Sequence, residues 1–231
     1  MKIRAIILSA LILCGISAVI MYSRAAQPQQ KSSVITQAIN DKNTPMVIKN
    51  LILKMKEQME VNDDQFPELI KEVENYTNSL ADSASVAVLH SMLAEMYQNY
   101  YQRNQWTINQ RTQLSGYIPE DIRVWTSNLF TDKIKEEIDL SLRPTALLQN
   151  TPVSKFKDIL EIGKDSQTLR PTLYEFLAFR ALDIQPTVQI YKDLIAFQNK
   201  EPNMKSVLLT ELDYLRSFTG IKGIKSLSRL T

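Results

Sequence analysis

The amino-acid sequence predicts an all-α protein behind an N-terminal hydrophobic leader helix. Apolar residues in the body recur every three or four positions, which is the spacing of one helix face, rather than at every second position as in a strand. Nearly every break between these segments holds a capping residue or a proline. We therefore expect antiparallel helical hairpins stacked as an α-solenoid similar to a tetratricopeptide array, although no strict repeat aligns.

The leader predicts export from the cytoplasm. Lys2 and Arg4 precede an apolar run over residues 5–22, and small residues up to Ala25 suit signal peptidase. Residues 1–26 are therefore predicted to be a signal peptide cleaved after Ala25, or a membrane anchor. The protein is expected in the periplasm or cell envelope, either released or held at the inner membrane through its leader.

Two alternatives to cleavage stay open for the leader. Its apolar run is long enough to cross a bilayer as an uncleaved anchor. Lipidation of Cys14 is the other alternative, although Leu13 occupies a position where a small residue is usual and the apolar run continues past the cysteine. Residues 27–33 are predicted to be a polar linker, and residues 34–231 an all-helical domain with a sub-boundary near 104–119.

Each predicted helix follows from its own start and stop residues. The most strongly patterned one spans about residues 85–101, an irregular connection follows at 104–119, and Pro144 ends the helix that Thr126 begins. The last two helices, joined by residues 199–203, resemble a helical hairpin. The predicted starts in chain order are Thr44 with Pro45, Asp63 or Asp64, Ser85, Pro119, Thr126, Pro152, Pro171, Pro186 and Asn203.

Composition excludes several function classes. The chain has 27 basic and 25 acidic residues, and without Lys2, Arg4 and Arg24 in or beside the leader 24 basic residues face the same 25 acidic ones. No basic stripe remains to neutralise phosphates, so we expect no nucleic-acid partner. The only cysteine, Cys14, lies in the leader and the only histidine is His90, so we predict no metal site, no cofactor and no catalytic residue.

Three groups of residues are candidates for a catalytic or binding site. For His90 we expect a partly buried histidine satisfied by a neighbouring group rather than a catalytic base. Tyr97, Tyr100, Tyr101 and Trp106 could form a binding platform, but core packing is the preferred interpretation. The acidic groups are expected on solvated helix faces or at a helix start, namely Glu136, Glu137 and Asp139 in the first case and Glu120 and Asp121 in the second.

Four ordered blocks carry a resemblance to a known family. They are VLHSMLAEMYQNYYQRNQW at 88–106, IPEDIRVWTSNLFTDKI at 118–134, LLQNTPVSKFKDIL at 147–160 and LRPTLYEFLAFRALD at 169–183. Together they resemble the N-terminal helical region of the very large bacterial alpha-2-macroglobulin-like proteins. The resemblance implies an exported protease trap, in which a bait segment is cleaved and a Cys-Gln thioester captures the attacking endopeptidase.

None of that trapping machinery is predicted within residues 27–231. No cysteine is available for a thioester, and no β-sandwich is expected in so helical a chain. We therefore expect an N-terminal piece of a longer protein, a non-catalytic accessory region whose partners are β-rich macroglobulin domains of that protein and, through them, proteases. The alternative is a free-standing helical protein-interaction module of the cell envelope.

Overall fold

The structure, a computed structural model, describes residues 43–61, 65–112, 117–160, 165–200 and 203–219. Within these ranges the protein is helical, and the only β pairing is an isolated antiparallel bridge between Pro152 and Thr172. The predicted all-α class is therefore confirmed for the described residues. The predicted leader helix, the linker and the end of the chain lie outside them.

The long helices begin and end close to the positions predicted from capping residues and prolines, whereas the short α-helices Thr145–Asn150 and Ser166–Leu169 were not predicted. Two short 3₁₀ helices, Ile122–Val124 and Val153–Phe156, interrupt the series. The α-helices in chain order are α1 (Thr44–Val61), α2 (Phe66–Ser79), α3 (Ser83–Ile108), α4 (Ser127–Ser141), α5 (Thr145–Asn150), α6 (Ser166–Leu169), α7 (Leu173–Ile184), α8 (Val188–Gln198) and α9 (Met204–Thr219).

Two boundaries differ from the sequence prediction. Helix α3 continues to Ile108, so it takes up the first part of the connection expected at 104–119. The α-helix predicted after Pro152 is instead the 3₁₀ helix Val153–Phe156, followed by turns. The bridge to Thr172 holds Pro152 in an extended conformation just before this 3₁₀ helix. Only a short segment remains for a helix, and short segments often form the 3₁₀ type.

Local hydrogen bonds explain where several helices begin. The side chain of Asn43, rather than the expected Thr44, accepts the N–H of Met46 at the start of α1. At α7 the Thr172 hydroxyl accepts the N–H of Glu175, while the Glu175 carboxylate accepts the N–H of Thr172. This reciprocal pair is a capping box, which satisfies two backbone donors that a helix start would otherwise leave unpaired.

The chain forms two compact units, residues 1–51 and 52–231. The first is described only from Asn43 to Leu51, where Val47, Ile48 and Leu51 are buried. In the second unit, α3 packs against α2, α4 and α7, α7 also contacts α5 and α8, and α8 packs against α9. Helix α3 is therefore the element on which the core of this unit is assembled.

Candidate functional site

Two of the residues singled out from the sequence lie outside the described residues: Cys14, the candidate for lipidation, and Ala25, the candidate for signal cleavage. In the described part of the chain no helix has the length and apolar content needed to cross a membrane. Nor do the described histidine, cysteine and acidic side chains converge in a group of three or more that could hold a metal ion.

His90 is joined to a carboxylate on another helix. Its Nδ1 lies 2.6 Å from Oε2 of Glu137, and the two side chains are 16% and 2% exposed. The other carboxylate oxygen, Oε1, lies 2.8 Å from Nζ of Lys133, one turn earlier on α4. The expectation that a neighbouring group satisfies His90 is therefore confirmed, and the partner is Glu137.

The placement of Glu137 corrects the expectation of a solvated acidic face. Glu136 and Asp139 are exposed as predicted, but Glu137 is buried against α3. Their side chains fan around the α4 axis, so one of the three faces inward while two face solvent. Burial of a carboxylate is costly unless it is paired, and His90 together with Lys133 provides that pairing.

The same network extends to α2 through a tyrosine. Tyr97 donates its hydroxyl to Oε1 of Glu74 at 2.7 Å, and Lys133 lies 3.9 Å from that same oxygen. Burial, and secondly the hydrogen bond to Glu74, raise the pKa of Tyr97 far above its ordinary value. Burial disfavours the charge of Lys133, but Glu137 and Glu136 outweigh that effect and raise its pKa. The network links α2, α3 and α4.

His90 and Glu137 are two of the three groups that a nucleophile–histidine–carboxylate triad requires. In such a triad a nucleophilic hydroxyl is hydrogen-bonded to the second ring nitrogen of the histidine. Among the described residues no serine, threonine or tyrosine hydroxyl is hydrogen-bonded to His90. The adjacent Ser91 hydroxyl instead accepts from Arg180 Nε at 2.9 Å, which ties α3 to α7.

The aromatic residues are divided between core and surface. Tyr97 stacks on Trp125 with ring centroids 5.7 Å apart, and Phe130 packs against both. Tyr100 and Tyr101 also stack on Phe130. The preferred interpretation of core packing is therefore confirmed for Tyr97, which is buried, while Tyr100 and Tyr101 are half-buried and pack on the buried Phe130.

Trp106 does not join this aromatic cluster and is 79% exposed. The cluster takes Trp125 and Phe130 instead, which the sequence pattern did not associate with the tyrosines. Asp121 takes the role expected from its position, because its side chain accepts the N–H of Arg123 and caps the first 3₁₀ helix. That hydrogen bond is the main cause of its lowered pKa.

A second buried polar chain joins the last three long helices. Gln198, on α8, donates to Oε1 of Glu175 on α7 at 3.1 Å and accepts the Thr210 hydroxyl of α9 at 2.8 Å. All three side chains are 3% exposed or less. Polar groups at this depth are satisfied by one another, so the chain fixes the register of α8 between its neighbours.

Helix α9 presents an apolar face to solvent. Ser206, Val207 and Thr210 are its buried side chains. Its large apolar side chains are 46–72% exposed. They are the ones that periodicity places on one side of the helix, together with Met204 in the first turn. We call them the α9 apolar face: Met204, Leu208, Leu212, Leu215 and Phe218.

Comparison of the chain with protein-family models, with curated proteins and with solved structures finds no match in any of the three.

Proposed function

We propose that this chain is the non-catalytic helical accessory region of an exported bacterial alpha-2-macroglobulin-like endopeptidase inhibitor. In this role it binds the β-rich domains of the same protein through exposed helix faces, and it meets proteases only as part of the whole inhibitor. The proposal rests on the four sequence blocks that resemble that family. The observation in the structure that supports a binding role is the α9 apolar face.

The α9 apolar face has the properties expected of a docking surface. Five large apolar side chains follow one another at helical spacing, each at least 46% exposed. Single exposed apolar residues are ordinary, but a contiguous row is typical of a protein–protein contact. Covering such a face contributes roughly 25 cal/mol for each Å² of apolar surface removed from water. A neighbouring domain that packs on α9 would therefore gain stability from it.

The arrangement of the helix pairs suits a stacked helical array. Sequential helices pack on one another at α2–α3, α7–α8 and α8–α9, as they do in helical hairpins. We propose that these pairs belong to an α-solenoid. In such arrays each helix pair packs against its neighbours, and the α9 apolar face offers a surface for a further contact of that kind.

Thiol labelling in the envelope tests whether the α9 apolar face is covered. The chain has one cysteine, Cys14, so Leu212→Cys adds a single reporter thiol. Labelling of the unsubstituted chain measures the contribution of Cys14. We expect a membrane-impermeant maleimide to label Leu212→Cys readily in the purified full chain. In envelopes the labelling rate should be roughly tenfold lower, if a partner is present at ten times its Kd for the face.

The matched control is Lys192→Cys on α8. Lys192 is exposed and lies outside the α9 apolar face, so its labelling rate should be the same in envelopes and in the purified chain. Equal rates for Leu212→Cys in the two preparations would contradict a covered face. A photo-crosslinker attached to the same thiol distinguishes the accessory region from the free-standing module. The accessory role predicts a crosslinked product with β-rich macroglobulin domains. The free-standing module predicts a crosslinked product with a separate protein.

A further inference from the structure

A cleft of about 880 Å³ opens between α4 and α8, away from the α9 apolar face. Residues of α5 and of the turn between α7 and α8 complete its walls. Ile138, Tyr174 and Ile190 are buried and line its inner part. Its size lies within the range of roughly 300–1,000 Å³ that is usual for ligand sites.

The rim of the cleft carries more positive than negative charge. Lys135, Arg143 and Lys200 line it, and none of these three forms an ion pair with another described residue. Asp139 and Asp193 are the acidic groups of the cleft, and Asp193 accepts the side-chain amide of Gln189 at 2.8 Å. Three cations against two carboxylates favour a ligand with a few negative groups rather than a polyanion charged at every unit.

Tyr174 provides a fixed hydrogen-bonding group inside the cleft. Its side chain is 3% exposed, and its ring packs edge-to-face on Phe197 with centroids 5.3 Å apart. Tyr174 lines the cleft, and no described residue hydrogen-bonds its hydroxyl. Burial, and then the nearby carboxylates of Asp193 and Glu175, raise the pKa of Tyr174 to about 12. The hydroxyl is protonated at neutral pH, as in any tyrosine, and can donate a hydrogen bond to a ligand.

Two primary amides add groups that match a polypeptide backbone. Gln149 and Gln185 line the cleft, are half-buried, and form no side-chain hydrogen bond with a described residue. A glutamine amide both donates and accepts, as a peptide group does. Between these polar groups lie Leu142 and Phe197, which offer apolar surface to intervening side chains.

We propose that the cleft between α4 and α8 binds an extended peptide segment carrying acidic side chains. Gln149, Gln185 and the Tyr174 hydroxyl pair with its peptide groups, and the three cations pair with its carboxylates. The inner apolar surface takes alternate side chains, which face opposite sides in an extended chain. This binding site is separate from the α9 apolar face and does not depend on the function proposed above.

Fluorescence anisotropy with a defined probe tests the proposal. The probe is fluorescein-labelled Glu-Leu-Glu-Leu-Glu-Leu, which places its leucines on one side and its glutamates on the other when extended, and the comparison peptide has lysine in place of each glutamate. We expect saturable binding of the acidic probe to the purified full chain. Arg143→Ala and Lys200→Ala should each raise its Kd at least roughly threefold, since each removes one exposed charge pair with the ligand.

Two further variants separate binding from folding and from general charge. Tyr174→Phe keeps the ring against Phe197 and removes only the hydroxyl, so it should raise the Kd with an unchanged thermal transition. Lys192→Ala removes the same charge from α8 outside the cleft and should leave the Kd unchanged. The proposal is overturned by the absence of saturable binding, by equal binding of the lysine peptide, or by equal effects of Lys192→Ala and Lys200→Ala.

Discussion

The Nδ1 atom of His90 and the Oε2 atom of Glu137 lie 2.6 Å apart and join α3 to α4 across 47 residues of sequence. The chain's only histidine is thus paired with a carboxylate that is 2% exposed. Lys133 holds the other carboxylate oxygen. The pairing satisfies a charge at the centre of the helical packing, and removing it should therefore affect stability.

Replacing Glu137 by glutamine should destabilise the fold. Glu137→Gln keeps the shape of the side chain but removes the charge that His90 and Lys133 share, and we expect a loss of about 2–3 kcal/mol. Urea denaturation followed by circular dichroism measures it. Glu136→Gln is the matched control, because Glu136 is adjacent, 58% exposed, and also pairs with Lys133. A loss for Glu136→Gln as large as that for Glu137→Gln would show that the burial of Glu137 is unimportant.

Acid should weaken the start of α3 through Asp82. Burial opposes ionisation of this side chain, but hydrogen bonds from Ser85 and the charge of Lys155 outweigh it, so its pKa is lower than the ordinary 3.8. A lowered folded-state pKa means that the contribution of Asp82 to stability is present above about pH 4 and is lost as the pH falls through the folded value.

Asp82→Asn isolates this titration from the cap. Asparagine is as good an N-cap as aspartate, so the variant should keep most of the stability at neutral pH. It should also lose less stability than the parent on acidification to about pH 3. Urea denaturation at the two pH values measures both effects. A parent and a variant with the same acid dependence would contradict a role for the Asp82 charge.

Helix starts were predictable from the sequence because their signals are local. Asn203 accepts the N–H of Ser206 at the start of α9, where the sequence places it. The capping box of Thr172 and Glu175 follows the Thr-x-x-Glu pattern and could have been recognised from spacing alone. The burial of Glu137 could not, because an acidic residue on an amphipathic helix is usually solvated and its partner lies on another helix.

Breaking the buried chain at Gln198 should loosen α9 in particular. Gln198→Leu leaves Oε1 of Glu175 without this partner, and an unpaired buried group of this kind costs about 1–3 kcal/mol. The same substitution removes the bond from α8 to the Thr210 hydroxyl, which keeps its bond to the Ser206 carbonyl. Because Gln198 bonds α9 directly, amide hydrogen exchange should accelerate in α9 more than in α3. Gln189→Leu is the control on the exposed side of α8. Uniform acceleration across both helices would instead indicate a global effect.

Periodicity predicted the apolar side of α9 but not its exposure. An apolar stripe shows which face of a helix avoids water and says nothing about whether a neighbour lies there. The buried side chains of α9 are Val207 and the small polar residues Ser206 and Thr210, and the rings of Tyr214 and Phe218 also contact Tyr191 on α8. Ser206 and Thr210 carry no hydrophobic signal, so an apolar pattern cannot predict their burial.

Substitutions on the two sides of α9 should therefore differ in effect. Leu208→Ala and Leu212→Ala remove side chains that are 51% and 47% exposed, and each should change stability by less than about 0.5 kcal/mol. Val207→Ala removes two buried carbons and should cost about 1–2 kcal/mol. Thermal denaturation of the purified chain compares the three. Destabilisation by the leucine variants that matches Val207→Ala would mean that the α9 apolar face is covered within the chain itself.

The isolated chain should neither inhibit nor cleave proteases. Trapping requires a bait segment and an enclosing scaffold, and covalent capture requires a thioester cysteine, whereas residues 27–231 contain no cysteine. Among the described residues no hydroxyl is hydrogen-bonded to the ring of His90, which Glu137 holds through Nδ1, so no Ser–His–carboxylate arrangement is formed there. Incubating the purified chain with several endopeptidases and a protein substrate measures both activities. Stoichiometric loss of protease activity would contradict the accessory role. It would indicate an independent inhibitor, because the isolated chain would then block the protease by binding it directly, without a trap.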